Sequence, residues 1–317
     1  MGIEILLLIL FAITLFFIYF YKKLNEKTDF CLGVDINKPE KKPISEGTGI
    51  VLLVPFWIVV LFLVYFQGFG SELLIYATIV SVFGIVGFFD DLQHKFLAKS
   101  ATWKLRTFPI VIASLIFAFL FAPDLIWIIP LSLYVAGVAS MQNTFAGLNG
   151  WEVGSGFIII LFISYILIGS PFFFVAISLA AIIFALLIFN IFPAKVFPGD
   201  SGTLFIGSSI SALMLLTRDL NLIILSFLLF FPHMIDFFIL KLITNREDLT
   251  QQKTRPYNAL QNGLLSIPNY PDNKIRYDFA KLLIKIFGPL KERTIVLFIW
   301  SIVIVNGFFW LTVFGKI

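Results

Sequence analysis

Residues 172–192 read FFFVAISLAAIIFALLIFNIF, an apolar segment without a charged side chain. A helix needs roughly 20 apolar residues to cross the hydrocarbon core of a bilayer, which is about 30 Å thick. The apolar residues do not alternate with polar ones, as they do in the strands of an outer-membrane barrel. We therefore interpret the segment as a transmembrane helix.

Similar segments recur along the whole chain. Of its 317 residues 59% are hydrophobic and 13% are charged, which is too little charge to cover the surface of a soluble domain of this size. About ten transmembrane segments are predicted, at residues 2–21, 48–66, 72–89, 103–121, 125–142, 153–170, 172–192, 203–217, 220–240 and 294–314. The sequence shows no long repeat and no soluble domain. It predicts a single all-α domain over residues 1–317, a polytopic membrane helix bundle with active-site loops on the cytoplasmic side.

Lysine and arginine residues are distributed unequally between the predicted connections. If the N-terminus lies outside, 21 of the 23 basic residues are cytoplasmic, and only Arg218 and Lys316 are external. Positive charge in short loops sets the orientation of a membrane protein, so both termini are predicted to be extracytoplasmic. This bias and an anionic leaflet account for the net charge of +4 without a nucleic-acid partner. The polar residues outside the helices also concentrate on the cytoplasmic side, where we expect the function to lie.

Two adjacent aspartates, Asp90 and Asp91, end the third predicted helix. They adjoin the negative end of the helix dipole, they repel each other, and they lie near the membrane boundary. A cation should offset this arrangement, either one of the downstream lysines Lys95, Lys99 and Lys104 or a divalent metal. Acids at the end of a span can simply meet water, but an adjacent pair at a helix C-terminus favours a functional role.

The connection after the fifth predicted helix, residues 142–152, reads QNTFAGLNGWE. Asn149-Gly150 is a turn signal, and the glycines permit backbone conformations that let a ligand approach closely. The carboxamides of Asn143 and Asn149 suit a hard cation or the edge of a base. A simple turn would show the same pattern, so both interpretations stay open.

The connection after the seventh predicted helix, residues 190–202, reads NIFPAKVFPGDSG. Two prolines interrupt the helix, and the glycine-rich end of the segment opens the eighth helix. Asp200 is either an N-cap, whose carboxylate accepts free backbone N–H groups, or a metal ligand beside the anion-attracting end of a helix.

Three further polar features lie near the predicted membrane boundary. Glu46 precedes the second helix, and the segment Lys253-Thr254-Arg255-Pro256 in the last cytoplasmic connection carries basic side chains suited to a phosphate. Asp236 lies inside the ninth helix. An acid within the membrane indicates function by default, and capping of a neighbouring helix is the alternative.

Acids, carboxamides, glycines and basic residues thus converge on one side of the bundle. This set suits a metal-assisted reaction of a soluble phosphorylated donor with a lipid acceptor, because Mg²⁺ or Mn²⁺ would bridge an anionic donor and an acidic site. Phosphoryl transfer needs positioning and charge neutralisation more than covalent chemistry. The sequence has no GxxxxGK(S/T) motif of a P-loop and, with two histidines, no HExxH site.

At these residues the sequence resembles the polyprenyl-phosphate N-acetylhexosamine-1-phosphate transferases, over nearly the whole chain. The resemblance rests on the aspartate pair, on the Asn-x-x-Ala-Gly-x-Asn-Gly-x-Glu loop at Asn143–Glu152 and on the Phe-Pro-Gly-Asp-Ser-Gly turn at Phe197–Gly202. It implies a ten-helix enzyme that moves a sugar phosphate from a UDP-sugar to a polyprenyl phosphate and releases UMP.

Within that family the sequence is most similar to the dolichyl-phosphate GlcNAc-1-phosphotransferases of eukaryotes and archaea. The similarity lies in Asp35-Ile36-Asn37-Lys38 followed by Ser45-Glu46-Gly47, and in residues 146–152. Bacterial phospho-MurNAc-pentapeptide translocases carry a histidine-rich motif in the last cytoplasmic loop, where this chain has no histidine but has the basic segment 253–256. The resemblance therefore implies UDP-GlcNAc as donor and a dolichyl or other polyprenyl phosphate as acceptor, in the first membrane step of lipid-linked glycan assembly.

The resemblance also implies roles for single residues. Asn143 and Asp200 would hold the Mg²⁺ or Mn²⁺ ion, and Asp90 and Asp91 would lie beside the reacting phosphates. Lys99 is the best match to the family's phosphate-binding lysine, with the two neighbouring lysines as alternatives. Whether Asp91 acts as a base stays open, because a phosphate monoester with a second pKa of about 6 is already ionised near neutral pH. The residues expected to bind the donor are Glu46, Asn149, Glu152, Lys253 and Arg255.

Two alternatives remain at this stage. One is the same chemistry with another UDP-linked N-acetylhexosamine or a MurNAc-type donor. The other is a proton-coupled secondary transporter, which would place acids near mid-bilayer in broken helices and show an internal repeat. Asp236 is such an acid, but the sequence shows no repeat. The sequence leaves the oligomeric state open, a homodimer included.

Overall fold

The computed structural model describes residues 3–38, 42–96, 103–243, 257–268 and 276–317, with side chains at all of these except 3, 94–96 and 103–105. Within these residues the chain is almost entirely helical. The α-helices are α1 (Ile3–Thr28), α2 (Leu53–Gln67), α3 (Glu72–Phe96), α4 (Trp103–Phe121), α5 (Ile128–Thr144), α6 (Trp151–Ile166), α7 (Phe173–Asn190), α8 (Gly199–Leu216), α9 (Leu220–Leu229), α10 (Phe231–Met234), α11 (Phe279–Phe287) and α12 (Glu292–Val313). A π-helical segment, Ile235–Lys241, continues α10.

Seven helices in the described part of the chain are long and apolar enough to cross a membrane. The number rises to eight if α9 and the segment Phe231–Lys241, which meet at a bend of 57°, form one span. The predicted spans 103–121 and 153–170 correspond to shorter apolar segments, Arg106–Phe121 and Trp151–Ile166. The prediction of an all-α, multi-pass membrane protein is thus confirmed.

Helix α8 lies at the centre of the bundle, packed against α3 and α5. Every residue from Ser201 to Leu216 is buried. Its serine hydroxyls donate to carbonyl groups of the preceding turn, which satisfies them without an outside partner. Gly207 lets α5 approach, because a Cβ at this position would lie 2.6 Å from the Cα of Ala139. The first turn of α8 is therefore held in the middle of one end of the bundle, which we call the site end.

The connection between α1 and α2 closes over the first turn of α8. Its strands β1 (Leu32–Val34) and β2 (Pro43–Ser45) pair in antiparallel fashion. The backbone N–H groups of Thr48 and Gly49 then donate to the carbonyl groups of Phe197 and Pro198, at 3.2 and 2.9 Å. A Cβ on Gly49 would overlap the backbone of α8 at Gly202, so this close approach requires glycine.

The connection before α12 forms a second small sheet. Strands β3 (Asn258–Ala259), β4 (Leu264–Ser266) and β5 (Leu290–Lys291) are antiparallel, in that order. Since β5 directly precedes α12, this sheet fixes the start of the last helix at the site end.

Asp236 in the π-helical segment is buried and serves as a capping group for another helix. Its Oδ1 accepts the backbone N–H of Phe279, the first residue of α11, at 2.9 Å. Its Oδ2 lies 2.6 Å from Nζ of Lys241, which also donates to the carbonyl of Thr144. Of the two interpretations of this acid, the geometry supports capping. It gives no support to a proton carrier in a transporter.

Candidate active site

The two aspartates lie inside α3, which continues to Phe96 and does not end at the pair as the sequence predicted. Both are buried, and they have different partners. Asp90 and Asp91 are 6% and 8% exposed. Asp91 accepts the backbone N–H of Asp200 at 2.7 Å with Oδ1 and that of Ser201 at 3.1 Å with Oδ2. These N–H groups belong to the first turn of α8, where the positive end of the dipole favours a carboxylate. Asp91 therefore caps α8, a role that the sequence suggested only for Asp200.

Two glycines let α3 and α8 meet at this point. A Cβ on Gly87 would lie 2.5 Å from the carbonyl carbon of Asp200. Gly199 has a φ of +67°, in the left-handed region that favours glycine, and a Cβ there would overlap the carboxylate of Asp91. The absence of side chains at these two positions is what allows Asp91 to reach the first turn of α8.

Arg106 in α4 links the two remaining carboxylates. Its Nη1 lies 3.0 Å from Oδ2 of Asp90 and 2.6 Å from Oδ2 of Asp200. A guanidinium is always charged in proteins, so it offsets the repulsion between two carboxylates brought this close. The cation expected beside the aspartate pair is thus an arginine within the described residues. The sequence had suggested a lysine or a divalent metal at this place.

Asn143 joins the same group from the last turn of α5. Its Oδ1 accepts the hydroxyl of Thr203 at 2.9 Å. Its side chain also interacts with the carboxylate of Asp200, as does the side chain of Asp90. The structure therefore brings together Asp90, Asp91, Asp200 and Asn143, as the sequence predicted. We call Asp90, Arg106, Asn143 and Asp200 the carboxylate centre.

The carboxylate centre has the oxygen ligands that suit Mg²⁺. This ion commonly takes one or two carboxylates from a protein and its other ligands from water and substrate phosphates. Asp200 and Asn143 fit that donor set, with Oδ2 of Asp200 paired with Arg106 and Oδ1 of Asn143 accepting the Thr203 hydroxyl. Both oxygens of Asp91 accept backbone N–H groups at the start of α8. No group of three or more His, Cys, Asp or Glu side chains suited to a metal occurs among the described residues. The residues therefore fit an ion shared with substrate rather than one enclosed by protein.

Asn149 lies in a second polar cluster, with Asp35 and Glu292. Its Nδ2 donates to Oδ2 of Asp35 at 2.9 Å, and its backbone N–H donates to Oε1 of Glu292 at 2.9 Å. Asp35, Asn149 and Glu292 are 6%, 7% and 6% exposed. The sequence indicated no role for Asp35 or Glu292. The only available signal was that Asp35 begins the Asp-Ile-Asn-Lys segment on which the resemblance partly rests.

The loop that carries Asn149 is held from several sides. Gly150 has a φ of +84°, which confirms the predicted turn, and its N–H donates to Oδ1 of Asn190 at 3.1 Å. Tyr257 is buried beside Gly147 of the same loop and donates to Oδ2 of Asp278 at 3.0 Å. Burial, with the nearby charge of Asp278, raises the pKa of the Tyr257 phenol well above its usual range, so this hydroxyl stays a donor.

Glu46 and Glu152 are the two acids among the residues predicted to bind the donor. A Cβ on Gly33 would lie 2.6 Å from Oε2 of Glu46 and 3.1 Å from the ring of Phe197, which places Glu46 at the turn before α8. Glu152 lies in the first turn of α6, and its Oε2 is buried without a hydrogen-bond partner among the described residues. Their binding roles stay predictions.

Three predicted site residues, Lys99, Lys253 and Arg255, lie outside the described residues. The side chains of Lys95 and Lys104 are likewise outside what the structure describes. The expected contacts of these basic residues with phosphate therefore stay predictions from the sequence.

Comparison with known proteins gives consistent matches along the chain. The profile of the family described as glycosyl transferase family 4 matches residues 73–218, which include the aspartate pair and α8. A protein of Sulfolobus acidocaldarius is 29% identical over 323 residues, with 95% of this chain and 93% of the relative covered. A protein of Saccharolobus solfataricus is 30% identical over 288 residues, with 85% and 84% covered. Both are named, provisionally, as UDP-N-acetylglucosamine–dolichyl-phosphate N-acetylglucosaminephosphotransferases.

A bacterial relative carries a different name. The phospho-N-acetylmuramoyl-pentapeptide-transferase of Shouchella clausii is 31% identical over 238 residues, with 66% of this chain and 72% of the relative covered. The matched relatives thus include two differently named types of transferase.

Proposed function

Because the chain belongs to glycosyl transferase family 4, we propose that it transfers N-acetylglucosamine 1-phosphate from UDP-N-acetylglucosamine to a dolichyl or other polyprenyl phosphate. An oxygen of the lipid phosphate forms a bond to the sugar-bearing phosphorus of the donor. The bond between that phosphorus and the bridging oxygen of the diphosphate breaks, and UMP leaves with this oxygen. The observation that carries the proposal is the carboxylate centre, with Arg106 between Asp90 and Asp200 at the first turn of α8.

The residues of the carboxylate centre supply charge and orientation rather than a covalent intermediate. Asn143 and Asp200 are the residues that would hold Mg²⁺ or Mn²⁺, which when bound neutralises charge on the donor phosphates. Arg106 is a fixed cation at the same place and can donate to a phosphate oxygen. Asp91 keeps α8 in position through its two backbone hydrogen bonds. Phosphoryl transfer depends chiefly on such positioning and on electrostatic stabilisation.

The location of the reaction is part of the proposal. With 21 of 23 basic residues on one side, the site end faces the cytoplasm and both termini are extracytoplasmic. UDP-linked donors are soluble, so the site end must be open to the compartment that contains them. The protein would act in the cell membrane, or in the endoplasmic reticulum membrane of a eukaryote.

A direct assay tests the proposal. The purified protein, dolichyl phosphate and Mg²⁺ are incubated with UDP-GlcNAc, and UMP and the lipid product are measured. The expected result is one UMP for each polyprenyl diphosphate N-acetylglucosamine formed. Dolichol without its phosphate is the control acceptor, and it should give no UMP. Absence of lipid product with the phosphorylated acceptor would contradict the proposal.

The bacterial relative makes UDP-MurNAc-pentapeptide the alternative donor. The last cytoplasmic connection of this chain contains Lys253 and Arg255 and no histidine, which favours UDP-GlcNAc. Both donors are therefore supplied together at equal concentration. Only N-acetylglucosamine is expected in the lipid product, and pentapeptide in that product would make the alternative donor the correct one.

A further inference from the structure

Helix α1 lies at the edge of the bundle and faces it with a single stripe of side chains. The buried residues of its described part recur every three or four positions, at Leu10, Thr14, Ile18, Tyr21 and Asn25. Thr14 donates to the carbonyl of Leu10 in its own helix, at 2.7 Å. The polar groups of Tyr21 and Asn25, which end the stripe, bond outside the helix instead. Buried polar groups are costly unless they are satisfied, so these partners indicate what the end of α1 holds.

The carboxamide of Asn25 holds the connection between α1 and α2 at two places. Asn25 is 2% exposed, and its Oδ1 accepts the backbone N–H of Cys31 at 2.6 Å. Its Nδ2 donates to the carbonyl of Cys31 and to the hydroxyl of Ser45, the latter at 2.9 Å. Cys31 precedes β1 and Ser45 ends β2, so one side chain fixes both ends of this small sheet to α1.

Both backbone groups of Glu46 are held by the same contacts. Its N–H donates to the carbonyl of Cys31 at 2.9 Å, so it depends on the residue that Asn25 holds. Its carbonyl accepts the hydroxyl of Tyr21 at 3.0 Å and faces Nδ2 of Asn25 at 3.4 Å. Tyr21 lies one turn before Asn25, so the two side chains act from the same face of α1.

This segment also contacts the turn before α8. The carbonyl of Ser45 accepts the backbone N–H of Phe197 at 2.7 Å. A Cβ on Gly33 would lie within 3.1 Å of both Oε2 of Glu46 and the ring of Phe197, so the carboxylate lies beside this turn. Asp200 of the carboxylate centre follows three residues after Phe197. The backbone that α1 holds is therefore the backbone that presents Glu46 to the site end.

We propose that Asn25 is a positioning residue of the donor site, which holds the backbone of Glu46 so that its carboxylate can accept a hydrogen bond from a hydroxyl group of the donor. An ionised carboxylate only accepts hydrogen bonds, and UDP-GlcNAc carries hydroxyl groups on its ribose and on its sugar. Tyr21 assists through the same carbonyl. The inference rests on the proposed function and gives α1 a part in substrate binding besides anchoring the chain.

A double-mutant cycle on the full-length protein tests whether Asn25 acts through Glu46. Asn25→Ala, Glu46→Gln and the double variant are compared in the UMP-release assay. Each single variant should raise the donor KM by about tenfold with little change in kcat, as for a hydrogen bond to a charged group that is made equally in ground and transition states. The double variant should be no worse than Glu46→Gln alone, because the two residues form one unit. Losses in KM that multiply in the double variant overturn the inference.

Asn306→Ala is the matched control for loss of a buried carboxamide. Asn306 of α12 donates to the carbonyls of Leu228 and Leu229 at 3.1 and 3.0 Å, and accepts Nε1–H of Trp310. This variant should lose stability, measured as Tm, but keep the wild-type donor KM. An equal rise in KM in Asn306→Ala would make the effect of Asn25→Ala a general consequence of a weakened bundle and overturn the inference.

Two further measurements keep the test decisive if Asn25→Ala folds poorly. Tyr21→Phe removes only one hydroxyl, and it should raise the donor KM by about twofold to threefold, with no further rise in the Glu46→Gln background. Cys31 is the only cysteine of the chain and is 1% exposed. A thiol reagent should modify it faster in Asn25→Ala or Tyr21→Phe than in wild type or Asn306→Ala. Unchanged modification in both α1 variants overturns the inference, because α1 would not then hold this segment.

The outcomes distinguish this inference from the proposed function. Wild-type protein that uses UDP-GlcNAc, together with α1 variants of unchanged donor KM, overturns the positioning role alone. Wild-type protein that does not use UDP-GlcNAc overturns the proposed function, and the role of Asn25 in donor binding with it.

Discussion

Asp91 caps the helix that begins at Asp200: its Oδ1 accepts the Asp200 backbone N–H at 2.7 Å, although the two residues are 109 positions apart. The pair therefore divides two tasks that the sequence assigns to Asp200 as alternatives. Asp91 satisfies the helix N-terminus, and the carboxylate of Asp200 is left to face Arg106. The capping residue comes from a different helix, so a local pattern of N-cap residues cannot reveal it.

This division predicts opposite effects for two substitutions. Asp91→Ala removes both acceptor oxygens at the start of α8, so the free energy of unfolding should fall by about 0.5–2 kcal/mol. Asp200→Asn leaves both capping bonds intact, so Tm should change little while turnover is lost. Thermal unfolding and UMP release are measured on both variants. An Asp200→Asn protein with reduced Tm and near-normal turnover would instead make Asp200 a structural residue.

Arg106 should matter to catalysis more than its place in the sequence suggests. Arg106→Gln leaves Asp90 and Asp200 close together without the cation that lies between them, so we expect kcat to fall by at least about tenfold. Arg106→Lys keeps the charge but not the shape of the guanidinium, and should retain part of the activity.

The matched control for Arg106 is Arg218→Gln. Arg218 is an exposed arginine whose guanidinium lies over the ring of Phe121, at the other end of α4. The Arg218→Gln variant should keep wild-type turnover. Equal activity of Arg106→Gln and the control would remove Arg106 from the site.

Gly199 is predicted to be irreplaceable for a reason beyond its backbone angle. Gly199→Ala would place a Cβ against the carboxylate of Asp91, in addition to a left-handed strain of roughly 1–2 kcal/mol. Gly169→Ala provides the comparison, because Gly169 has a φ of +83° but no atom within 4 Å of an added Cβ. Gly169→Ala should be destabilised only by the backbone strain, and it should keep its activity. Similar losses of stability and activity in both would mean that the contact with Asp91 is unimportant.

The sequence predicted the carboxylate centre in part. Asp90, Asn143 and Asp200, with Asp91 beside them, could be foreseen because each lies next to an apolar segment at the end that is predicted to be cytoplasmic. Arg106 could not, because a basic residue near the end of a span has the same appearance whether it orients the protein in the membrane or pairs with an acid.

Asp35 and Glu292 were missed for a related reason. Their contacts with Asn149 span 114 and 143 residues, and no periodic pattern encodes which loops meet. Hydropathy reports length and composition directly, so most spans could be predicted. Within the described residues seven helices, or eight if α9 and Phe231–Lys241 form one span, are long enough to cross a membrane, and the predicted spans at Arg106–Phe121 and Trp151–Ile166 are shorter.

Activity should require a divalent cation. The donor carries a diphosphate, and the site end presents Asp90 and Asp200 with only Arg106 between them among the described residues. EDTA should abolish UMP release, and Mg²⁺ or Mn²⁺ should restore it. Binding of Mn²⁺ in the absence of donor, followed by electron paramagnetic resonance, should weaken in Asn143→Ala and Asp200→Asn. Full activity in EDTA would exclude the metal from the mechanism.

The orientation of the chain can be tested with single cysteines. The native Cys31 is 1% exposed, so it should contribute little background and can be retained. Asn262 lies in an exposed turn between β3 and β4, and Lys316 is exposed beyond the end of α12. Because positive charge is retained on the cytoplasmic side, a membrane-impermeant maleimide should label Lys316→Cys in intact cells and Asn262→Cys only after permeabilisation. Lys41→Cys, outside the described residues, should behave like Asn262→Cys. Labelling of Asn262→Cys from outside intact cells, with Lys316→Cys protected, would reverse the topology and place the carboxylate centre on the side of the membrane without UDP-linked donors.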